Sequence, residues 1–323
     1  MTWAVFVAFI AKTIKAAAIF IFGSTGETIT EKSGHLNMGI PGIMYLGALG
    51  GILGERIYVD SVHGGPLNGF MIIFMPIIFA MLFAALGGLL FAFFTVTLKC
   101  NHNVTGLTLT TFGVGLSCYF IGLIDPMGVN DAGLQLQSLF KSDWGDNWFG
   151  TIFLSQSFFT YLAIIVAIVA AIVLAKTKVG LNLRACGENP AAADAAGINV
   201  DRYRYIATIV GAAIAGLGGM VLELDLYVGY FNPKDAVDAF GWLALSLVIF
   251  SMWKPGICIA ASFVFGALQQ LRFYLGITPS QQQIFSVLPY AFTIIVLILT
   301  SVFNKKNAQP PAALGVTYFR EDR

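Results

Sequence analysis

Six stretches of this chain contain no Asp, Glu, Lys or Arg: Met71–Leu98, Val104–Ile124, Thr151–Ala175, Tyr205–Leu222, Pro255–Leu271 and Phe273–Asn304. A membrane-crossing helix needs about 20 mainly apolar residues. In hydrocarbon such a run must satisfy its own backbone, which a helix does. Leu36–Gly54 is a seventh stretch, Gly-rich and shorter, and Ala239–Trp253 is an eighth, too short to cross unbroken. Val5–Phe22 is interrupted by Lys12 and Lys15; it crosses, or it lies in the interface as an amphipathic helix. The expectation is an all-α, polytopic membrane helical bundle of about 8–10 transmembrane helices, short and broken segments included. Only 11% of the 323 residues are charged, against roughly 25% in soluble domains, which excludes a soluble protein with one anchor.

Lys and Arg concentrate on the cytoplasmic side of membrane proteins. Lys99, Lys176, Lys178, Arg184, Arg202, Arg204, Lys254, Lys305 and Lys306 fall in one set of connections; Arg56, Lys141, Lys234 and Arg272 fall in the other. The first set is expected inside with the C-terminus, and the N-terminus outside if Val5–Phe22 crosses. The outer set is acidic, with Glu55, Asp60, Asp125, Asp131, Asp143, Asp146, Asp225, Asp235 and Asp238. Trp144, Trp148 and Phe149 suit the membrane–water boundary. The first apolar stretch has no basic region ahead of it and no cleavage site after it, so no signal peptide is expected. Residues 1–306 are expected to form the transmembrane domain, and 307–323, with Pro310 and Pro311, a short disordered tail. Cys100, Cys118, Cys186 and Cys258 are scattered, which offers neither a disulfide framework nor a zinc site.

One polar segment breaks the pattern: RACGENPAAADAAGINVDRYRY, residues 184–205. Asn189 can cap a helix and Pro190 fits its first position. The alanines that follow are strong helix formers, and Gly197 can take the left-handed turn that stops them. The expected product is a capped helix of two turns, about 10 Å long. It is either a turn that the loop needed or a docking peg whose small side chains let another surface approach. The segment GLNLRACGENPAAADAAGINVDRYR resembles the cytoplasmic loop of ATP-binding-cassette (ABC) importer permeases for branched-chain amino acids, simple sugars and nucleosides. Gly180, Leu183, Arg184, Gly187, Asn189, Pro190, Ala192, Ala193, Ala196 and Gly197 fall on that family's pattern. GETITEKSGHLNMGIPGIMYLGA (26–48) and VTGLTLTTFGVGLS (104–117) resemble its early segment and a mid-chain helix. The likeness runs from about residue 15 to 303 and looks nearest to nucleoside permeases that work with basic-membrane-protein-type binding lipoproteins.

The resemblance implies a coupling helix at about 189–197 that sits in a cleft of a separate ATPase. Its coupling residues would be Arg184, Glu188, Asn189, Pro190, Ala193, Ala196 and Gly197. ATP and Mg would be bound by that ATPase, with no cofactor or metal held by this chain. The resemblance also implies a second permease subunit in a heterodimer or homodimer, an extracytoplasmic substrate-binding lipoprotein, and a bacterial cytoplasmic membrane.

Candidate pathway residues are Glu31, Ser33, Asn37, Gly39, Thr108, Thr111 and Trp242. Gly34, Gly39, Pro41 and Gly42 around Asn37 would loosen or break a helix. Irregular backbone at membrane depth lines a cavity or is covered by protein, and transporters bind substrate at such breaks. The alternative is a cytoplasmic hairpin with Asn37 as a cap. Thr108 and Thr111 share one helical face with Thr105; they line a path, or bond to their own helix or a neighbour. FGWLALSLVIFSMWKPG (240–256), with Trp242, is a half-helix facing the path or a short tilted crossing. Gly211, Ala212, Ala215, Gly216, Gly218 and Gly219 suit close helix packing.

His35, His63 and His102 occur singly, and neither H-E-x-x-H nor a Walker motif occurs. An enzyme is not expected, and any ATP must be hydrolysed by another subunit. No basic patch interleaved with aromatics points to nucleic acid. An ion-coupled transporter would keep ionisable residues inside its spans; apart from Lys12 and Lys15, the long spans are expected to hold none. The expected function is the permease subunit of an ABC importer for nucleosides, purine ones such as guanosine. Simple sugars such as ribose are the alternative substrate.

Overall fold

The computed structural model describes residues 2–124, 133–135, 137–138, 147–229, 236–303 and 309–319. The described elements are helical. They are α1 (Trp3–Lys32), α2 (Ile40–Ser61), α3 (Met71–Ala92), α4 (His102–Ile121), α5 (Phe158–Lys176), α6 (Lys178–Glu188), α7 (Pro190–Ala195), α8 (Val200–Val221), α9 (Ala236–Phe250), α10 (Pro255–Tyr274), α11 (Pro279–Phe285) and α12 (Leu288–Phe303). Single π-helical turns extend α3 over Phe93–Thr97 and α8 over Leu222–Leu226, and another, Gly150–Leu154, precedes α5. With these extensions α1, α3, α4, α5, α8 and α10 are long and apolar enough to cross a membrane.

α1 settles the N-terminal question. Its 30 residues span about 45 Å at 1.5 Å per residue, more than the ~30 Å hydrocarbon core. Ala16 to Phe22 are buried by α5, α8, α9 and α10, so α1 is a central span and not an interfacial helix. Lys15 is tolerated there because its Nζ lies 2.7 Å from Asp225 Oδ1, whose other oxygen accepts from Ser157 at 2.6 Å.

α8 is the second axis, packed on α1, α2 and α3. Lipid supplies no hydrophobic drive between helices, so close backbone approach must hold them together. A Cβ on Gly219 would stand 1.9 Å from the Met44 carbonyl, and one on Gly47 2.2 Å from that of Gly216. The small residues of α8 are thus the packing seam that their spacing suggests. Leu82 and Leu86 of α3 and Ile165 and Val169 of α5 face outward, exposed, as lipid-facing positions do.

Three windows differ from the helices. Phe273–Asn304 is not one span: α10 ends at Tyr274, Gly276 turns with φ +66°, and Pro279 opens the short α11 before α12. Thr151–Ala175 is broken before Phe158. α2 starts at Ile40 and runs on through Glu55 and Asp60 to Ser61.

The last difference exposes a larger one. Glu27, Glu31, Glu55, Glu223 and Asp225 all lie on or at the ends of long helices and are at most 2% exposed. The expectation that the spans hold only two lysines is wrong. A window drawn to the first charge stops there, whereas the helix continues. Glu55 and Asp225 are therefore not part of an outer acidic surface, and Arg204, also 2% exposed, is not part of a solvated basic loop. Asp125, Asp131, Lys141, Asp143, Trp144, Asp146, Lys234, Asp235, Lys305 and Lys306 lie outside the described residues.

Candidate coupling site

The polar segment folds as two short helices in sequence. The first, α6, was not anticipated. Thr177 caps it, its Oγ1 accepting from the Gly180 amide at 3.1 Å. Gly180, Leu183, Cys186 and Gly187 are its buried face, a helical spacing that the sequence does carry. Gly187 lets it touch the end of α1: a Cβ there would stand 2.4 Å from the Lys32 carbonyl.

α7 follows as the local sequence requires. Asn189 Oδ1 accepts from the Ala192 amide at 2.9 Å, and Pro190 occupies the first position. At the far end Gly197 sits at φ +83°. Its amide donates to Asp194 O at 2.9 Å and that of Ile198 to Ala193 O at 3.0 Å, the paired bonds of a Schellman stop. Ala193 is buried against Cys186 and Val200, while Ala191, Ala192, Ala195 and Ala196 point outward. Arg184 and Glu188 are exposed on the same short hairpin. All seven residues of the expected coupling set are therefore contiguous at one end of the bundle.

The tail is not a disordered extension over Gln309–Phe319. It lies across this hairpin. Ala312 N donates to Glu188 Oε2 at 3.3 Å, Ala313 N to Gly187 O at 2.9 Å and Gly315 N to Gly34 O at 3.0 Å. Tyr318 donates its hydroxyl to Asp194 Oδ2 at 2.9 Å. Paired prolines suggest disorder only where nothing else satisfies the backbone, and here the free carbonyls at the ends of α1 and α6 do so. The Phe319 ring faces Lys99 Nζ at 6.0 Å.

Beneath the hairpin, two histidines that occur singly in sequence meet. The rings of His35 and His102 are 4.8 Å apart, and His35 Nδ1 lies 2.8 Å from Thr208 Oγ1. Burial, and next His102, hold His35 well below the usual imidazole range, so it is neutral. Arg204 joins them, with Nε and one terminal nitrogen lacking a partner among the described residues.

The expected pathway residues divide. Glu31, Ser33, Asn37 and Gly39 come together at the α1–α2 connection. Glu31 accepts a hydrogen bond from the Trp253 indole. Ser33 bonds back to Thr30 O at 2.6 Å. Asn37 donates its backbone N–H to Glu27 Oε1 at 3.2 Å, and its side-chain Oδ1 accepts from Gly39 N at 2.9 Å. Thr108 and Thr111 stay apart, exposed, donating to their own helix at Val104 O, 2.8 Å, and Leu107 O, 3.1 Å. Thr108 borders an apolar cavity of about 460 Å³ between α3 and α4. Trp242 is half-buried on α9, whose 15 described residues span about 22 Å. Trp253, at φ +55°, ties its end to Glu31, a pairing across 222 residues that sequence reasoning missed.

The described residues form a many-spanned helical bundle with a short capped helix at one end, the architecture of a membrane transport subunit. Residues 9–297 match the family model for the permease component of branched-chain amino acid transport systems, and the chain belongs to that family. It is 33% identical to the nucleoside ABC transporter permease protein NupC of Lactococcus lactis, over 93% of both chains. It is 30% identical to the putative glucose ABC transporter permease protein TsgC13 of Haloferax volcanii, over 96% of both. It is 29% identical to the guanosine ABC transporter permease protein NupQ of Bacillus subtilis, again over 96% of both. No solved structure matches the chain. The chain is a permease subunit of an ABC importer, and its family works with an ATPase and a substrate-binding partner. This assignment does not need the argument from uncharged spans, which the buried carboxylates remove.

Proposed function

We propose that this subunit carries purine nucleosides inward across a bacterial cytoplasmic membrane, and that α7 receives the stroke of the separate ATPase. The observation that carries the mechanical reading is the seating of α7. A helix of six residues is too short to be stable alone, yet this one is fixed by a side-chain cap, a left-handed stop, buried Ala193 and the Tyr318 bond. Fixed so, it moves as a unit with α6 and the end of α1. Ala191, Ala192, Ala195 and Ala196 give the ATPase cleft a surface without long side chains. Arg184 and Glu188 flank it as charged contacts. ATP and Mg act on the ATPase, and this chain's residues only position the helix that it moves.

In this mechanism the α1–α2 connection is the inner gate. Movement of α6 is passed at Gly187 to the end of α1, and so to Glu31, Ser33, Asn37, Gly39 and, through Trp253, to α9, which bears Trp242. Thr108 and Thr111 would line a path only where a second permease faces α4; a related, non-identical permease is the expected partner. An extracytoplasmic binding lipoprotein would deliver substrate at the opposite end, and nucleic acid has no part.

The names of two relatives, for nucleosides and for guanosine, favour nucleosides. The glucose relative, of nearly equal identity, favours a second reading in which simple sugars such as ribose are carried. Uptake into proteoliposomes holding this chain, its ATPase, the second permease and the binding protein decides between them. ATP-dependent entry of labelled guanosine is the expected result. Entry of ribose alone moves the substrate to sugars, and entry driven by an ion gradient without ATP rejects the coupling mechanism.

A further inference from the structure

At the end of the bundle opposite α7, a cavity of about 340 Å³ opens between α1, α9, α10 and the π-helical end of α8. Its volume lies at the lower end of the roughly 300–1,000 Å³ of small-molecule pockets, which suits a nucleoside or monosaccharide and not a peptide. Unlike the apolar cavity beside Thr108, it is lined by polar groups. Gln269 and Gln270 border it while only 6% and 7% exposed. Lys12 and Arg272 also face it. Arg272 lies over the Phe273 ring, 4.7 Å from its centroid, and its Nε is buried without a partner among the described residues. The walls carry Phe240, Tyr227 and Tyr274. Burying polar groups unpaired is costly, so the guanidinium nitrogen of Arg272, held open beside an empty volume that two buried glutamines border, is a group shaped for a ligand. Asp225, one nearby carboxylate, is already engaged by Lys15 and Ser157.

Resting on the nucleoside reading, we infer that this cavity is an outer subsite for a 6-oxopurine nucleoside. Aromatic faces stack on a planar base. Two cations bring donors only, so the edge they face must offer acceptors. The O6 and N7 atoms of guanine are adjacent acceptors that a guanidinium fork can bridge, whereas adenine presents a donor beside N7. Arg272 is then the residue that selects an oxopurine, and the glutamine amides, each donor and acceptor, take the remaining base edge and ribose hydroxyls.

The test is ATP-driven guanosine uptake by the complete transporter in proteoliposomes, with unlabelled adenosine and guanosine 5′-phosphate as competitors. The unaltered transporter should prefer guanosine to both. Arg272→Met should reduce the guanosine-over-adenosine preference about tenfold, a change in ratio that a merely loosened fold does not produce. Gln270→Leu should lower uptake of both nucleosides. If Arg272→Met fails to assemble, Arg272→Lys, which keeps the charge and removes the fork, should show the same loss of preference. An unchanged preference in the variants, no preference in the unaltered transporter, or better competition by the phosphate overturns the subsite while leaving nucleoside import standing. Absence of any nucleoside uptake by the unaltered transporter overturns the functional reading and the subsite with it.

Discussion

Replacing Gly197 by Val probes the coupling helix at one backbone torsion. Nothing lies within 4 Å of where a Cβ would stand, so the substitution introduces no clash with another element. The penalty is confined to holding an L-residue at φ +83°. That costs roughly 1–2 kcal/mol, and β-branched residues are the least tolerant of the region. At 1.4 kcal/mol per factor of ten, the population with the Schellman stop undone rises about five- to thirty-fold. The two bonds at risk, Gly197 to Asp194 and Ile198 to Ala193, hold the end of α7; the buried spans are untouched. Global melting should therefore hardly move, while the ATP hydrolysed per guanosine taken up should rise several-fold. Gly197→Asn is the control, because Asn visits the left-handed region readily; it should couple like the parent. A valine variant that couples normally, or an asparagine variant as poor as valine, would refute the assignment of α7 as the part that takes the stroke.

Other substitutions test the supports around it. Asp225→Ala strands Lys15 inside the bundle and should cost about 3–5 kcal/mol; denaturant titration in detergent should show most of it restored in the Lys15→Met/Asp225→Leu double variant. Tyr318→Phe removes the bond to Asp194 and should weaken the seat of α7 by about 1 kcal/mol, raising futile hydrolysis. Burial pushes the Cys186 thiol up to about 11, which keeps it protonated and unreactive at pH 8. Maleimide should label half-exposed Cys100 first, and Cys186 should react as the pH nears its raised value or once Tyr318→Ala uncovers it.

What could be read in advance follows from the range of the interactions. α7 was legible to the residue because its determinants are neighbours: a cap, a proline and a glycine within nine positions, 189–197. The bundle was legible because lipid demands long apolar runs, and the seam of α8 because small residues at helical spacing have one use there. The interior carboxylates were not, since Glu31 is held by Trp253 and Asp225 by Lys15, partners brought near only by the fold. The same holds for the meeting of His35 with His102. The tail was misread because composition reports what a segment does alone, and its hydrogen-bond partners lie on α6, α7 and the α1–α2 connection. The pathway residues divide on similar grounds: the four near Asn37 share a local turn, whereas Thr108 and Thr111 depend on what stands opposite α4.

The seat of the tail also orders events during synthesis. The ribosome releases α7 while α9 to α12 are still unmade, and Tyr318 comes later than all of them. On the coupling role proposed for α7, an ATPase that meets the growing chain finds that helix without its last anchor. The motor-facing surface is completed only when the membrane part has been fully inserted, so a nonsense change just before Gln309 would leave a subunit that enters the membrane, keeps its spans, and answers poorly to its motor.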